Sequence, residues 1–445
     1  MSSGAASLAN TNVGYFVERG YIAVIADVRG TGSSAGTWGL FTPVQGTDGA
    51  ALVDWSAKLP HADGRVGLFG ESYMGINQFL TVAALSRHNP VKAMFPIIAG
   101  NDLYQDTATQ GGLLDLEFSA FYLGLVGGLN AANPLTNRSS GRAPGQQGGR
   151  PQRRRTPSPK SSSTTSACCP TTRRRSSTIE RGGPESYDGP YWMARNPLST
   201  LAKVVADHIP AFLVGGWHDL FQRGELLNST GLQNLAAQHP VLAPMTAGQH
   251  ATPRYQLLMG LWTHLTTGAG VDLTRVELEW FDTWLLGQKT PLGSTTTPLH
   301  LNLLGTQRWI DTTTWPLAPA SATQLFFGAG PAATASSSDN QGTLTTAAPR
   351  TSSGSDPVVF TGVSSACDLQ TDQWSAGLIA AASADSGIPG PCTTDDVTLG
   401  AGPGALTWWP PSRRSVPQAR RCTPARAGGL LGPGTGHPWG GPHTG

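Results

Sequence analysis

The sequence predicts an α/β fold built on a parallel sheet, with a mostly helical insertion and a smaller all-β region towards the C-terminal end. Short apolar runs alternate with stretches of helical spacing, as in βαβ units. Two of these runs, residues 21–28 and 65–70, are almost entirely apolar, which is typical of strands buried on both faces. After residue 297, short apolar runs stand among Thr, Ser and Gly, and this pattern favours strands of an all-β unit.

The elements follow from the spacing of apolar residues along the chain. Residues 11–19 are predicted to be the last part of a helix. YIAVIADV (21–28) is predicted to be a buried strand, and RGTGSSAG the loop after it. Further strands are predicted at 65–70, 91–100, 209–219 and 239–250, and further helices at 46–58, 74–86, 226–237 and 271–287. The RGTGSSAG loop lacks the Lys and the spacing of a phosphate-binding P-loop.

These elements divide the chain into five regions. They are the first part of the α/β core (1–100), a helical cap insertion (101–205) with a disordered segment at 139–183, the second part of the core (206–292), a partial β domain (293–406) and a disordered tail (407–445).

Composition excludes several classes of protein. The chain of 445 residues has no apolar run long enough to span a membrane. Its first residues show neither the basic nor the apolar part of a signal peptide. Five cysteines are too few and too scattered for a disulfide scaffold, and no Cys/His spacing suits zinc.

The charge is concentrated in two unusual segments. Eleven basic residues and a single acid lie between Arg138 and Arg181, and the tail from Thr407 has five Arg and no acid. Elsewhere acidic residues outnumber basic ones by 27 to 14. Both segments have too few large apolar residues to offset the entropy of ordering, so we expect them to be disordered.

Three interpretations of the two segments remain open: a basic arm for nucleic acid or an anionic surface, a solvated linker, and out-of-frame translation of a GC-rich gene. We favour the third, because neither segment agrees with the patterns around it. We therefore expect no nucleic-acid partner and no membrane partner.

The stretch GLFGESYMG, residues 67–75, is typical of a nucleophile elbow. Gly70, Ser72 and Gly75 lie between a predicted strand and a predicted helix, with one residue more in the second gap than the Gly-x-Ser-x-Gly pattern has. Small flanking residues allow a sharp turn that exposes the Ser hydroxyl. The alternative is a Ser that caps the helix N-terminus.

A nucleophilic Ser needs a base and an orienting acid. In this topology the chain order is Ser, Asp, His, each at the end of a strand. Asp219 ends the predicted strand 209–219 and His250 ends the predicted strand 239–250, so we predict the triad Ser72, Asp219 and His250. Asp219 is alternatively an N-cap for the next helix, and His218 is a rival histidine on the wrong strand end.

The sequence resembles a known family in four stretches: GESYMG, GGWHD, AGQH and YIAVIADVRGTGSSAG. They resemble the peptidase S15 group, which includes X-prolyl dipeptidyl aminopeptidases, cocaine esterase and their CocE/NonD relatives. The resemblance covers about 11–138 and 186–405 and implies an α/β-hydrolase domain with a helical cap, followed by a partial jelly-roll domain. It implies Ser72 as nucleophile, Asp219 as acid, His250 as base and the Tyr73 backbone N–H as an oxyanion donor.

The resemblance also implies features that this sequence lacks. Several strands precede the matching region in the family, and a Tyr hydroxyl there is the second oxyanion donor, which residues 1–14 do not supply. We therefore interpret the chain as truncated. Cys367 and Cys392 are either disulfide-bonded, which would indicate an exported parent protein, or two free thiols.

Two functions follow from the sequence. The first is a serine hydrolase that forms an acyl-enzyme on Xaa-Pro peptides or small acyl esters, with no cofactor and no metal. The second is an inactive truncated hydrolase scaffold or a non-catalytic binding protein. The sequence does not indicate an oligomeric state.

Overall fold

The computed structural model describes residues 12–110, 112–115, 118–119, 122–126, 183–306, 308–317, 323–328, 343–348, 373–374 and 376. Two predictions of disorder, for the tail and for all of 139–183 except Gly183, lie outside the described residues, and so does the Cys367 and Cys392 pair.

Ten strands are described. They are β1 Val66–Glu71, β2 Val91–Ile97, β3 Thr109–Gln110, β4 Leu113–Leu114, β5 Ala211–His218, β6 Tyr255–Thr263, β7 Leu299–Leu303, β8 Arg308–Thr312, β9 Phe326–Gly328 and β10 Thr343–Thr345. Six of them form one sheet in the order β1-β2-β5-β6-β7-β8. The first five are parallel and β8 is antiparallel to β7. The pairs β3–β4 and β9–β10 form two small antiparallel sheets.

Eight α-helices are described in these residues. They are α1 Val13–Val17, α2 Pro43–Ser56, α3 Tyr73–Ala84, α4 Pro190–Met193, α5 Leu201–Ala206, α6 Gln222–Ala236, α7 Leu273–Trp284 and α8 Pro291–Ser294. Local chemistry sets their ends. Pro43 begins α2, where its missing N–H costs no hydrogen bond, and the Asp272 side chain accepts from the Arg275 N–H at the start of α7.

Apolar side chains of the parallel strands alternate between two cores, one on each face of the sheet. On β2, Met94 belongs to the core that α3, α5 and α6 cover, whereas Phe95 belongs to the core that α7 covers. On β5, Leu213 and Phe212 divide in the same way. The rings of Phe95 and Phe212 stack with 4.9 Å between centroids. Cover on both faces explains why the strand sequences are continuously apolar.

The predicted strand at 21–28 is wrong. These residues form no ladder with another described strand, and Ile22 and Ile25 are about half exposed. A largely apolar cavity of about 350 Å³ lies where Ile22 and Val24 face Val66 and Leu68 of β1. The apolar run therefore lies near the sheet but is separated from it, and β1 is one of the two edge strands among the described residues.

The predicted strand at 239–250 is also wrong. This segment consists of turns and irregular chain, and the next strand of the sheet is β6, which begins at Tyr255. Pro240 and Pro244 remove two of the backbone N–H groups that a central strand needs. The error displaces the predicted strand end from residue 263 to residue 250.

The boundary predicted at residue 293 cuts through the sheet, because β7 and β8 continue it to Thr312. The short β9–β10 pair is the only other β structure described after Thr312. A jelly-roll domain therefore remains a prediction from resemblance.

The described parts of the cap lie within residues 101–126 and 183–205 and combine a π-helical turn at Tyr104–Ala108, the β3–β4 pair and short helices. The cap is thus less uniformly helical than the sequence predicts. Among the described residues, no helix combines the length and the apolar composition for crossing a bilayer. No three His, Cys, Asp or Glu side chains group as metal ligands in that part of the chain.

A Cβ at Gly75 should destabilise the protein. It would lie 2.7 Å from the Ile97 carbonyl oxygen at the end of β2, so α3 would have to move away from the sheet. We expect Gly75→Ala to lower the free energy of unfolding by about 1–3 kcal/mol, measured by urea denaturation. Gly124→Ala is the control, since Gly124 is exposed and a Cβ there meets nothing within 4 Å. Equal midpoints for the two variants would contradict this close approach.

Candidate active site

Ser72 lies on a sharp turn between β1 and α3. Its backbone adopts φ 54° and ψ −118°, a conformation that a non-glycine residue rarely takes and that marks stored strain. The Ser72 N–H donates to the Ile97 carbonyl at 2.9 Å, and the Ser72 carbonyl accepts from the Ile76 N–H at 2.9 Å. The turn is therefore tied both to the neighbouring strand and to the helix that it starts.

The two glycines of the motif make this turn sterically feasible. Gly70 has φ +145°, and a Cβ there would lie 2.6 Å from the Met74 Cβ. Gly75 lies against the end of β2, as described above. Without side chains at these two positions, α3 can begin directly over the ends of β1 and β2. Ser72 occupies the N-cap position of α3, but its side chain makes no capping hydrogen bond.

The Ser72 hydroxyl is instead hydrogen-bonded to an imidazole. The Ser72 Oγ lies 2.8 Å from His264 Nε2, and His264 Nδ1 lies 2.5 Å from Asp219 Oδ2. The Asp219 side chain is fully buried, and that of His264 is 12% exposed. Because a carboxylate can only accept, the Nδ1 of His264 carries the proton and its Nε2 is the atom free to accept from Ser72.

Each of these residues follows a parallel strand at the same edge of the sheet. Ser72 follows β1, Asp219 follows β5 and His264 follows β6. His264 begins a short 3₁₀ turn, in which the side chains of Thr263 and Thr266 form a capping box. The Phe221 ring lies 5.8 Å from the His264 ring, centroid to centroid. The turn and the ring together restrict the imidazole.

The prediction of His250 as the base is therefore wrong, because the histidine that contacts Ser72 and Asp219 is His264. His250 is exposed and lines a separate concave surface together with His239 and Gln249. The reason is the misplaced strand, since the rule that the histidine follows the strand holds for β6. The apolar run YQLLMGLWT directly before His264 was the signal that could have found it. His218, the other rival, is the last residue of β5.

Asp219 is positioned by hydrogen bonds within its own turn as well as by the imidazole. Its Oδ1 accepts from the Phe221 N–H at 2.7 Å, and its backbone N–H donates to the Gly216 carbonyl at 3.1 Å. The alternative role of Asp219 as N-cap of the next helix is wrong, because the N-cap of α6 is Phe221; one carboxylate oxygen of Asp219 instead supports the turn that leads into α6. The other oxygen is directed at His264.

Tyr73, the predicted oxyanion donor, is the first residue of α3, where the backbone N–H has no acceptor within the helix. The Tyr73 side chain is fixed by contacts with Gln45 and Phe41. The hydroxyl donates to Gln45 Oε1 at 2.9 Å and accepts from the Phe41 N–H at 3.3 Å, and the ring stacks on Phe41. Burial raises the pKa of the Tyr73 phenol to about 12. The phenol therefore stays neutral and anchors the turn.

Two buried glutamates lie close to this site. Burial raises the pKa of Glu225 well above its usual value, and the Asp219 and Asp106 carboxylates act in the same direction. Its Oε1 accepts a hydrogen bond from the Ala99 N–H. On α7, burial raises the pKa of Glu277 to about 8, with a further contribution from Glu71, the residue before Ser72. Both glutamates are thus held towards the neutral form beneath the site.

The chain order Ser72, Asp219, His264 at the ends of three parallel strands defines the class, an α/β hydrolase. The protein belongs to the X-Pro dipeptidyl-peptidase (S15) family, whose family model matches residues 2–266. The resemblance found in the sequence is confirmed, and so is the α/β-hydrolase part of the predicted fold.

Similar proteins include the cocaine esterase of Rhodococcus sp. (strain MB1 Bresler), 27% identical over 76% of this chain and 57% of that protein. Putative serine esterases of Mycobacterium bovis and Mycobacterium tuberculosis are 27% identical over 70% of this chain and 51% of theirs. The chain spans about half the length of the curated relatives it matches. A solved CocE/NonD family hydrolase from Staphylococcus aureus aligns with a TM-score of 0.43 at 15% identity, covering 68% of this chain and 43% of that one.

Glu277 should make stability depend on pH. Its folded pKa of about 8 exceeds the usual 4.5, so its contribution is complete below pH 4.5 and is lost as the pH rises to 8. Each unit of pKa difference is worth about 1.4 kcal/mol. We expect Glu277→Gln to show a smaller fall in unfolding free energy between pH 5 and pH 8.5 than the unmodified protein.

The control is Glu18→Gln, because the Glu18 side chain is 79% exposed. Urea denaturation at both pH values gives the comparison. Parallel pH dependence in Glu277→Gln and the unmodified protein would show that Glu277 ionises freely in the folded state.

Proposed function

We propose that this protein is a serine hydrolase that acts through an acyl-enzyme on Ser72, with His264 as general base and Asp219 as the orienting acid. The observation that carries the proposal is the continuous hydrogen-bonded series from Ser72 Oγ through the imidazole to the Asp219 carboxylate. A hydroxyl is a weak nucleophile unless such a base removes its proton.

In the first half-reaction, His264 Nε2 takes the proton of the Ser72 hydroxyl while Oγ attacks the substrate carbonyl carbon. The imidazolium is stabilised by its hydrogen bond to Asp219 Oδ2. The tetrahedral intermediate then collapses, the bond to the leaving group breaks, and His264 returns the proton to the departing oxygen or nitrogen. The product of this step is an ester of Ser72.

In the second half-reaction, a water molecule gives its proton to His264 Nε2 and attacks the acyl carbon. The bond to Ser72 Oγ breaks, and the imidazolium returns the proton to that oxygen. The negative charge that develops on the carbonyl oxygen in both steps would be bound by the Tyr73 backbone N–H at the start of α3, where the helix dipole is also favourable.

For the substrate we propose small acyl esters. The support is that the curated relatives of this chain are named as esterases. The family model, described as X-Pro dipeptidyl-peptidase, favours a second candidate, release of Xaa-Pro dipeptides. A third alternative, an inactive scaffold or a binding protein, corresponds to a site that has the residues but no turnover.

The identity of the base can be tested directly with two histidine variants. We expect a fluorophosphonate probe to modify Ser72 in the unmodified protein and in His250→Ala at equal rates. His264→Ala should react at least ~10³-fold more slowly, because its Ser72 would lack a proton acceptor. Ser72→Ala is the blank, and mass spectrometry of the modified peptide locates the label.

The reverse ranking, with His250→Ala impaired and His264→Ala unaffected, would refute the assignment of the base. Absence of labelling in the folded, unmodified protein would refute the proposed activity and support the inactive scaffold.

Substrate class calls for a separate measurement. We expect p-nitrophenyl butyrate to be hydrolysed with a kcat/KM well above that for Gly-Pro-p-nitroanilide, because the proposed substrate is an acyl ester. Ser72→Ala gives the background for both. A higher kcat/KM for the anilide would favour the dipeptidyl-peptidase candidate instead.

A further inference from the structure

We propose that Gln373, far away in the sequence, is a positioning residue that holds the Asp219 turn in place for His264. The proposal rests on the proposed function for the role of Asp219. Gln373 lies 154 positions after Asp219, in the C-terminal part of the chain that follows the α/β sheet. It would act through the acid and the imidazole, without touching the substrate.

The contact is a hydrogen bond to the backbone of the acid. Gln373 Nε2 donates to the Asp219 carbonyl oxygen at 2.9 Å and to Gln222 Oε1 at 3.3 Å. A backbone carbonyl can only accept, so the amide nitrogen of Gln373, and not its oxygen, must face Asp219. One amide group thus connects the acid to the first residue of α6.

Neighbouring residues hold this amide in place. Trp374 packs against the main core cluster, and Ala376 is buried within it, 3% exposed. The Ala376 N–H donates to the Gln373 carbonyl at 3.2 Å. The donor therefore lies beside two residues that pack in the core, and a residue fixed in this way restricts its acceptor more than a mobile surface side chain would.

The geometry of the Asp219 turn explains why one more hydrogen bond matters. The Phe221 and Gln222 N–H groups, two and three residues further on, bind the Asp219 carboxylate and carbonyl. These bonds connect the turn only to residues near it in the sequence. Gln373 connects it to a distant part of the chain, so its loss would let the carboxylate drift from the imidazole, and small displacements of this kind reduce rates strongly.

Two substitutions separate the hydrogen bond from the packing. Gln373→Met keeps a side chain of similar length without a donor, and Gln373→Glu places carboxylate oxygens against the Asp219 carbonyl. We expect the rate of fluorophosphonate labelling of Ser72 to fall about five- to tenfold in the first, as for the loss of one neutral hydrogen bond. In Gln373→Glu the labelling rate should fall about 10²-fold, because the carboxylate also repels the Asp219 carbonyl oxygen.

In ester hydrolysis the loss should appear in kcat with KM unchanged, because Gln373 does not contact the substrate. Gln288→Met is the matched control, since Gln288 is exposed on the other side of the fold, after α7. Unfolding midpoints in urea show whether the variants remain folded.

A readout that does not depend on turnover completes the test. The proton on His264 Nδ1 gives a low-field NMR resonance when it is bonded to Asp219, and we expect this resonance to move upfield and broaden in both Gln373 variants but not in Gln288→Met. If neither the resonance nor the labelling rate changes in Gln373→Met, the proposal is overturned. If the unmodified protein is not labelled but the resonance moves as expected, Gln373 positions the acid and only the proposed hydrolase activity fails.

Discussion

The close approach of α3 to the ends of β1 and β2 is the constraint on which the site depends. The helix begins at the residue after Ser72, so the chain must reverse within a single residue, and that residue takes a positive φ. The conformation persists because the Ile97 and Ile76 backbone bonds hold it from both sides. The strain energy of this turn is offset by packing in the two cores that cover the sheet. Strands β2 and β5 place apolar side chains in both cores.

A second constraint is electrostatic. The Asp219 side chain is fully buried, and the carboxyl groups of Glu225 and Asp106 lie nearby. Three buried carboxylates cannot all ionise at low cost. Burial and its acidic neighbours hold Glu225 towards the neutral form, whereas Asp219 has both oxygens hydrogen-bonded.

The sequence predicted Ser72 and Asp219 because each lies beside a strand whose apolar run and glycines are contained in a short window. It failed at His264 because the irregular segment 239–250 is also apolar, and periodicity alone does not exclude a strand there. The sequence could not indicate Gln373, because no local pattern connects this residue with Asp219. The strand predicted at 21–28 failed because strand formation depends on a partner, and a partner is a property of the assembled sheet.

The position of β1 has a consequence for thermal behaviour. Among the described strands it lies at the edge of the sheet, with the cavity at its side, whereas β5 and β6, which lead to Asp219 and His264, are interior. Edge strands open locally at lower free energies than interior ones. Ser72 therefore loses its alignment with the imidazole in fluctuations that leave the rest of the sheet closed. The hydrogen bond between Ser72 and His264 should accordingly be lost at temperatures where circular dichroism still reports a folded protein.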